Sequence, residues 1–229
     1  MGNTHATSTI RIAASAIAHY HRVNGHTSPT DHQGVKAVLS GVQRLGKPPV
    51  QAKGLTAKDW NAIQKSSRIT DNTHLFELCL VGLMRDCLLR RSEVQGLNWD
   101  DLWEEEGAGR LLVARSKTDQ EGKGHIGYVS ATVMGYLELM RGEGRIFDIS
   151  TRHINRRIQR ACQRAGLEDN YSGHSPRIGM AMDLARTTTL TALTQAGRWK
   201  KPDMPIHYVR SITAGQGAVA EYYKKGNKK

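Results

Sequence analysis

Four separated segments carry side chains able to do chemistry. Leu88-Leu89-Arg90-Arg91-Ser92-Glu93-Val94 sets an Arg one helical turn before a Glu. Arg115-Ser116-Lys117-Thr118 holds a Lys in a polar stretch, and Ser172-Gly173-His174-Ser175-Pro176-Arg177 holds a His-x-x-Arg. Gln195-Ala196-Gly197-Arg198-Trp199 is followed, nine residues after its Trp, by Tyr208 in Ile206-His207-Tyr208-Val209-Arg210. Guanidinium, imidazole, ammonium and indole groups all donate hydrogen bonds to an oxyanion, and a phenol can act as a nucleophile. Singly, each segment also has an ordinary structural reading. An Arg at the end of an apolar helix complements the helix dipole, a Lys in a turn is solvated, and a Trp and a Tyr are two core aromatics. The sequence has no Walker-type Gly-rich loop and no carboxylate cluster of the two-metal kind.

The elements that must position these residues are mostly helical. Ile10, Ala13, Ala16, Ile17, Tyr20 and Val23 fall at helical spacing, with Ser8 or Thr9 as cap and Gly25 as stop. After a turn at Ser28-Pro29-Thr30, a second helix carries Val35, Val38, Leu39, Val42 and Leu45 on one face and ends at Gly46. Pro48-Pro49 cannot continue a helix, so residues 47–54 read as a linker between a helical piece at 1–46 and a domain at 55–229. Thr56 caps the next helix. A strongly apolar helix is expected over His74 to Leu89, and a short one over Ser92 to Leu97. Arg110–Arg115 and His125–Val129 read as paired strands around a polar turn from Ser116 to Gly124. The pattern is helical again through Tyr223. The expected fold is therefore mainly α with a small antiparallel β-sheet.

Charge points to a polyanion. Lys plus Arg number 33 against 21 Asp plus Glu, a net charge of +12, and residues 151–229 hold 15 Lys/Arg against 5 Asp/Glu. A focused basic field suits nucleic acid, although a solvated basic surface would look the same. No apolar run approaches the roughly 20 residues that span a bilayer, and the first residues lack the pattern of a secretory signal. The reading is cytoplasmic, at the nucleoid when bound to DNA, with no membrane partner and no small-molecule substrate. Cys79, Cys87 and Cys162 are odd in number and lack CxxC spacing, so buried free thiols are expected. His19, His21 and the other histidines lack ligand partners at metal spacing. No metal or cofactor is expected.

In joint order, the reactive segments resemble the active-site set of the tyrosine recombinase (phage integrase) family. That pattern is an Arg in a Leu-Arg-x-x-Glu context, a Lys in a β-hairpin, a His-x-x-Arg, a His or Trp, and a Tyr nine residues later. Here the matching residues are Arg90 with Glu93, Lys117, His174 with Arg177, Trp199 and Tyr208. Trp199, where most members carry His, points to the Cre-like branch. The resemblance runs from about Thr56 to the C-terminus, and it implies a tyrosine recombinase catalytic domain preceded by a partial helical, DNA-clamping domain. Pro176 and Arg198 depart from the pattern without removing a functional group. The turn bearing Lys117 is short.

The resemblance implies a site-specific recombinase or integrase that cleaves and rejoins DNA through a 3′-phosphotyrosyl link, without metal or ATP. Tyr208 would be the nucleophile. Arg90, Arg177, His174 and the Trp199 indole would stabilise charge on the phosphate oxygens, with His174 as base and Lys117 as acid. Glu93 would hold the site's cations. The same resemblance places the basic helix around 150–160 on DNA, with Arg152 reading a base and Arg156, Arg157 and Arg160 on phosphates. It also implies double-stranded DNA as partner and self-association to a dimer and tetramer on DNA, with the segment around 217–223 passed to a neighbour or packed on its own core. His125 and His207 read as extra donors or surface residues. Two alternatives stay open: a truncated or inactive DNA-binding remnant, suggested by the short N-terminal part, and a type IB topoisomerase-like or telomere-resolving enzyme.

Overall fold

The structure is a computed structural model that describes residues 5–46, 52–114, 124–168, 170–206 and 208. Lys117 and the segment around 217–223 lie outside the described residues. The chain divides into two compact units, Met1–Gln51 and Ala52–Lys229.

The first unit is a helix pair. Helix α1 spans Thr7–Val23 and α2 spans Gln33–Leu45, joined through a 3₁₀ turn at Pro29–Asp31. The expected cap at Ser8 or Thr9 is wrong: Ala6 occupies that position, and the Thr9 and Ile10 amides donate to its carbonyl at 2.9 and 3.2 Å. Ser8 and Thr9 sit inside the first turn. Gly25, at φ 73°, ends α1 in the left-handed region, as a C-terminal Gly does.

The second unit is built around α4, Asn72–Asp86. The Asp71 carboxylate caps it, accepting from the Thr73 and His74 amides at 2.8 and 3.1 Å. From Leu75 onward the helix is buried nearly all round, with Leu78, Leu80, Val81, Leu83 and Met84 in the core. A helix apolar on every face needs partners on every side. They are α3 (Ala57–Ser66), α6 (Ala131–Met140), α7 (Thr151–Arg164) and α8 (Ser175–Leu184). Ionic ties reinforce the packing. The buried Glu77 carboxylate accepts from Arg164 at 2.6 Å, and buried Arg85 pairs with Asp183 at 2.8 Å while also donating to the Leu55 carbonyl.

A three-stranded antiparallel sheet, β1 (Leu102–Glu105), β2 (Ala108–Val113) and β3 (His125–Val129), runs in the order β1-β2-β3. The pairing of β2 with β3 matches expectation, with Val113 opposite His125. Strand β1 was not expected. Its two-residue turn to β2, Glu106-Gly107, has φ of 54° and 74°, the geometry of a tight hairpin whose twist fits its strands. Glu at the first turn position is an uncommon signal, and the acidic run around it reads as a loop.

Two boundaries differ from expectation near the reactive residues. Helix α4 stops at Asp86, three residues early, because Leu88 swings into the left-handed region at φ 46°. The short helix α5 covers only Arg91–Val94. The segment around Leu55 is laced to α8: the Leu55 amide donates to the Ser175 carbonyl at 2.8 Å, and Gly179 lets the backbones touch. A Cβ on Gly179 would lie 1.8 Å from the Leu55 carbonyl oxygen. Gly179→Ala is therefore expected to cost about 1–3 kcal/mol through forced backbone movement. Urea denaturation checks this, and an unchanged midpoint would refute it.

Candidate active site

The left-handed turn at Leu88 is where the site begins. Its carbonyl, released from the helix ladder, accepts from the buried Arg177 guanidinium. Arg177 also donates to the Gly197 carbonyl. One planar group thus fastens the end of α4 to the end of α9 (Leu190–Ala196). The guanidinium carbon lies 4.5 Å from the centre of the Trp199 ring, in cation–π contact. Gly197 makes room for that ring, since a Cβ there would fall 1.8 Å from it. Burial, then the nearby Arg90 and Arg198, push the Arg177 guanidinium down to about 9, which leaves it cationic near neutral pH.

Arg90 sits at the N-cap of α5 and Glu93 three residues on, so one helical turn brings them together. Glu93 Oε1 accepts from the Arg90 guanidinium at 2.7 Å, and Oε2 accepts from the Arg90 amide at 2.8 Å. Oε2 also accepts from Arg198 at 2.6 Å. Burial pushes the Glu93 carboxyl up, but Arg198 and then the Arg90 contacts outweigh it and hold its pKa below the usual carboxylate value.

His174 stands at the N-terminus of α8, just ahead of Arg177. Pro176 is harmless there, because the first-turn amides of a helix have no internal partner. The loop before it is tied down: the Gly173 amide donates to Asn155 on α7 at 2.7 Å, and the Ser172 amide to the Ser175 hydroxyl at 2.8 Å. Arg91 packs so closely on Gly173 that a Cβ there would meet its side chain at 2.1 Å. Partial burial, then Arg91, Arg177 and Arg90, lower the His174 pKa, although its side chain stays exposed at the cleft mouth. A lowered pKa favours the neutral imidazole, which can accept a proton.

Tyr208 follows a helical turn at 203–206 and packs with Leu88, Ala181 and Leu193. Its ring centre lies 6.0 Å from that of Trp199, with the planes at 54°. A cleft of about 490 Å³ gathers Arg90, His174, Arg177, Trp199 and Tyr208, joined by Lys200, Lys201, Asp203 and Met204. Five of the expected site residues therefore line one space, and Glu93 is buried behind Arg90. Lys200 and Lys201 were missed, although their place beside Trp199 was a usable signal. Arg198 was noticed only as a departure, yet it reaches the Glu93 carboxylate. Burial, then Arg198, lower the pKa of half-buried His125 on β3 despite the opposing pull of Glu93, so that residue borders the same cluster.

On α7, Ser150 caps the helix, and Ile154 and Ile158 are fully buried. Arg152, Arg156 and Arg160, spaced by four, are exposed. Arg157, expected with them, turns inward instead. It stands 3.7 Å from the Glu77 carboxylate and 5.4 Å from the centre of the Phe76 ring. Among the described residues no group of His, Cys, Asp and Glu is placed to hold a metal ion, and no helix is long and apolar enough to cross a membrane.

Residues 53–214 match the phage integrase family. Recombinase Cre of Escherichia phage P1 is 22% identical over 261 residues, a match covering 97% of this chain and 76% of Cre. The fold is similar to that of the XerH site-specific recombinase solved in a post-cleavage complex with its difH substrate. There the TM-score is 0.60 at 14% identity, covering 76% of this chain and 54% of XerH. It is also similar to that of lambda integrase, solved as a dimer bound to a core site (TM-score 0.61, 18% identity, 89% of this chain and 59% of that one). The same integrase was solved as a tetramer on a Holliday junction (TM-score 0.55, 16% identity, 90% and 64%). The chain thus spans less than two thirds of these XerH and lambda integrase chains.

Proposed function

The chain belongs to the phage integrase family, and from that membership we propose that it is a site-specific DNA recombinase acting through a covalent phosphotyrosyl intermediate. The observation that carries the proposal is the single cleft in which Tyr208 shares its walls with Arg90, His174, Arg177 and Trp199. Such a cage of donors around a phenol fits a phosphodiester, whose transition state spreads negative charge over its non-bridging oxygens.

Tyr208 Oη attacks phosphorus and gives its proton to neutral His174. The bond from phosphorus to the 5′ oxygen breaks, and Lys117 gives that departing oxygen a proton, leaving a 5′ hydroxyl. Arg90, Arg177 and the Trp199 indole N–H stabilise the oxygens throughout, each such donor contributing about 3–4 kcal/mol. The 3′-phosphotyrosyl product keeps the energy of the diester. A 5′ hydroxyl from a second strand then attacks phosphorus and releases Tyr208, so rejoining needs no ATP. The cationic groups do here what a metal ion does in other phosphoryl-transfer sites.

Double-stranded DNA is the partner, and α7 is the element that reads it. Arg152, Arg156 and Arg160 project on the solvent side of a helix whose other face is buried. Arg157 is held by Glu77 and serves chiefly to set the helix in place. Arg152→Ala is expected to lower discrimination at one base pair by about 1–3 kcal/mol. Competition binding with singly substituted sites reads this out, and a uniform loss across all sequences would reassign Arg152 to phosphate contact. Assembly to a dimer and then a tetramer on DNA follows the forms in which lambda integrase was solved. Acting on replicon DNA, the protein would work in the cytoplasm.

The testing experiment incubates the protein with fragmented DNA of its source replicon, then digests and sequences protein-linked ends. Tyrosine-linked 3′ ends clustered at one sequence are the expected result. Absence of any covalent link, or linkage to 5′ ends, would refute the reading.

A further inference from the structure

Arg198 combines three features. It takes the left-handed backbone conformation, φ 54°, which disfavours any residue bearing a Cβ. Its guanidinium is largely buried behind the cleft rather than in its lining. It contacts groups that set the site. It reaches Glu93 Oε2 at 2.6 Å, the Cys87 carbonyl at 3.1 Å and the Leu88 carbonyl at 3.3 Å. The Leu88 carbonyl is the one Arg177 also uses. The backbone carbonyl of Arg198 accepts from the Arg90 guanidinium at 3.4 Å.

We propose that Arg198 is a positioning residue for phosphoryl transfer, holding Glu93 Oε2 so that Oε1 can fix the Arg90 guanidinium toward the cleft. The inference rests on the recombinase reading above. Arg198 adds to the hold that the Arg90 amide has on Oε2; without it that oxygen is held less firmly, and the carboxylate turns further onto the Arg90 guanidinium and draws it back from the phosphate. With it, the carboxylate is gripped from two sides and has one orientation. A bidentate fork also holds the end of α4, so Arg90 and Arg177 are registered against one another through Leu88.

Charge gives the positioning role a signature. Among the described residues, Arg90, Arg198 after α9, Arg177 on α8 and His125 on β3 act on Glu93. Burial favours the neutral Glu93 carboxyl, and the Arg198 charge, followed by the Arg90 contacts, opposes it. Removing Arg198 therefore raises the Glu93 pKa. Glu93 then protonates, and releases Arg90, at a higher pH than in the wild type. The acid limb of the rate profile moves upward. His125 would move the same way, so the shift must persist when His125→Gln is combined with each Arg198 variant.

The test uses the full chain and a nicked duplex carrying the site found by covalent capture. Arg198→Gly suits the left-handed backbone, Arg198→Met keeps length without charge, and Arg198→Lys keeps charge without the fork. Single-turnover adduct formation is expected to fall on the order of 10- to 100-fold for the Gly and Met variants, the size typical when a group orienting a site's ligands is lost. The Lys variant should recover part of the rate, DNA affinity should hold within about 3-fold, as for a group that touches no DNA, and the acid limb should rise. Wild-type rate and profile in Arg198→Gly would overturn the proposal. So would rate losses that track melting temperature across all three variants, since that marks a purely structural role. No adduct from the wild type would bring down the recombinase reading and this inference together, whereas adduct from wild type and Arg198→Gly alike removes the inference alone.

Discussion

Tyr208→Phe is expected to bind the target site like the wild type and to form no covalent adduct on a nicked duplex. The substitution removes one oxygen and leaves the ring, which packs on Trp199 at 6.0 Å and against Leu88, Ala181 and Leu193. The fold should therefore survive with a change within about 1 kcal/mol. Deleting a nucleophile leaves only the residual effect of the surrounding donors, so cleavage should fall by at least about 10⁴-fold. Binding depends on phosphate and base contacts elsewhere, so affinity should change by less than about 3-fold. Denaturing gels of the trapped species and a gel shift at fixed salt make the comparison. An adduct from the Phe variant would mean that another side chain attacks, and the cleft around Tyr208 would lose its assigned role.

The part of this arrangement legible in the sequence is the part set by local spacing. Arg90 and Glu93 are one turn apart, and His174 and Arg177 are one turn apart, so each pair was visible before any fold was known. Ile154 and Ile158 against Arg152, Arg156 and Arg160 is likewise a helical alternation readable along one segment. What could not be read are contacts that close over long separations. Arg198 meets Glu93 across 105 residues, and Arg157 turns to a carboxylate on another helix. The early end of α4 was hidden for a related reason. Leu88 and Leu89 continue an apolar run, whereas the chain leaves the helix through backbone bonds from the Leu88 and Leu89 amides to Arg85 and Met84, with Arg177 and Arg198 converging on the Leu88 carbonyl. Strand β1 shows the other limit: acidic residues around a Glu-Gly turn carry weak strand propensity, and pairing with β2 overrides it.

Arg177→Ala is expected to lose cleavage by about 10³-fold, or about 4 kcal/mol, while DNA affinity falls only a few-fold. The difference follows from where the side chain is. It lines the cleft beside Tyr208, and its charge is stacked on Trp199 rather than spread over a DNA-facing surface. Under the proposed role, its interaction with the phosphate would grow as the oxygens gain charge, so its removal would cost the transition state more than the bound ground state. Arg177 also satisfies the carbonyls of Leu88 and Gly197. The Leu88 carbonyl keeps its Arg198 donor, but losing the donor to the Gly197 carbonyl costs about 1–3 kcal/mol where no water replaces it, so the Ala variant should melt lower as well. Arg177→Lys separates the two contributions. It restores a positive charge but cannot reach both carbonyls and an oxygen at once from one rigid plane. If Arg177 acts on the reacting phosphate, the Lys variant remains at least about 10²-fold slow even at temperatures where it is fully folded. Single-turnover cleavage and gel-shift affinity, measured at one salt concentration alongside thermal melts, decide it. Parallel losses of binding and cleavage would make Arg177 a phosphate anchor, and full recovery by Lys would reduce it to a source of charge.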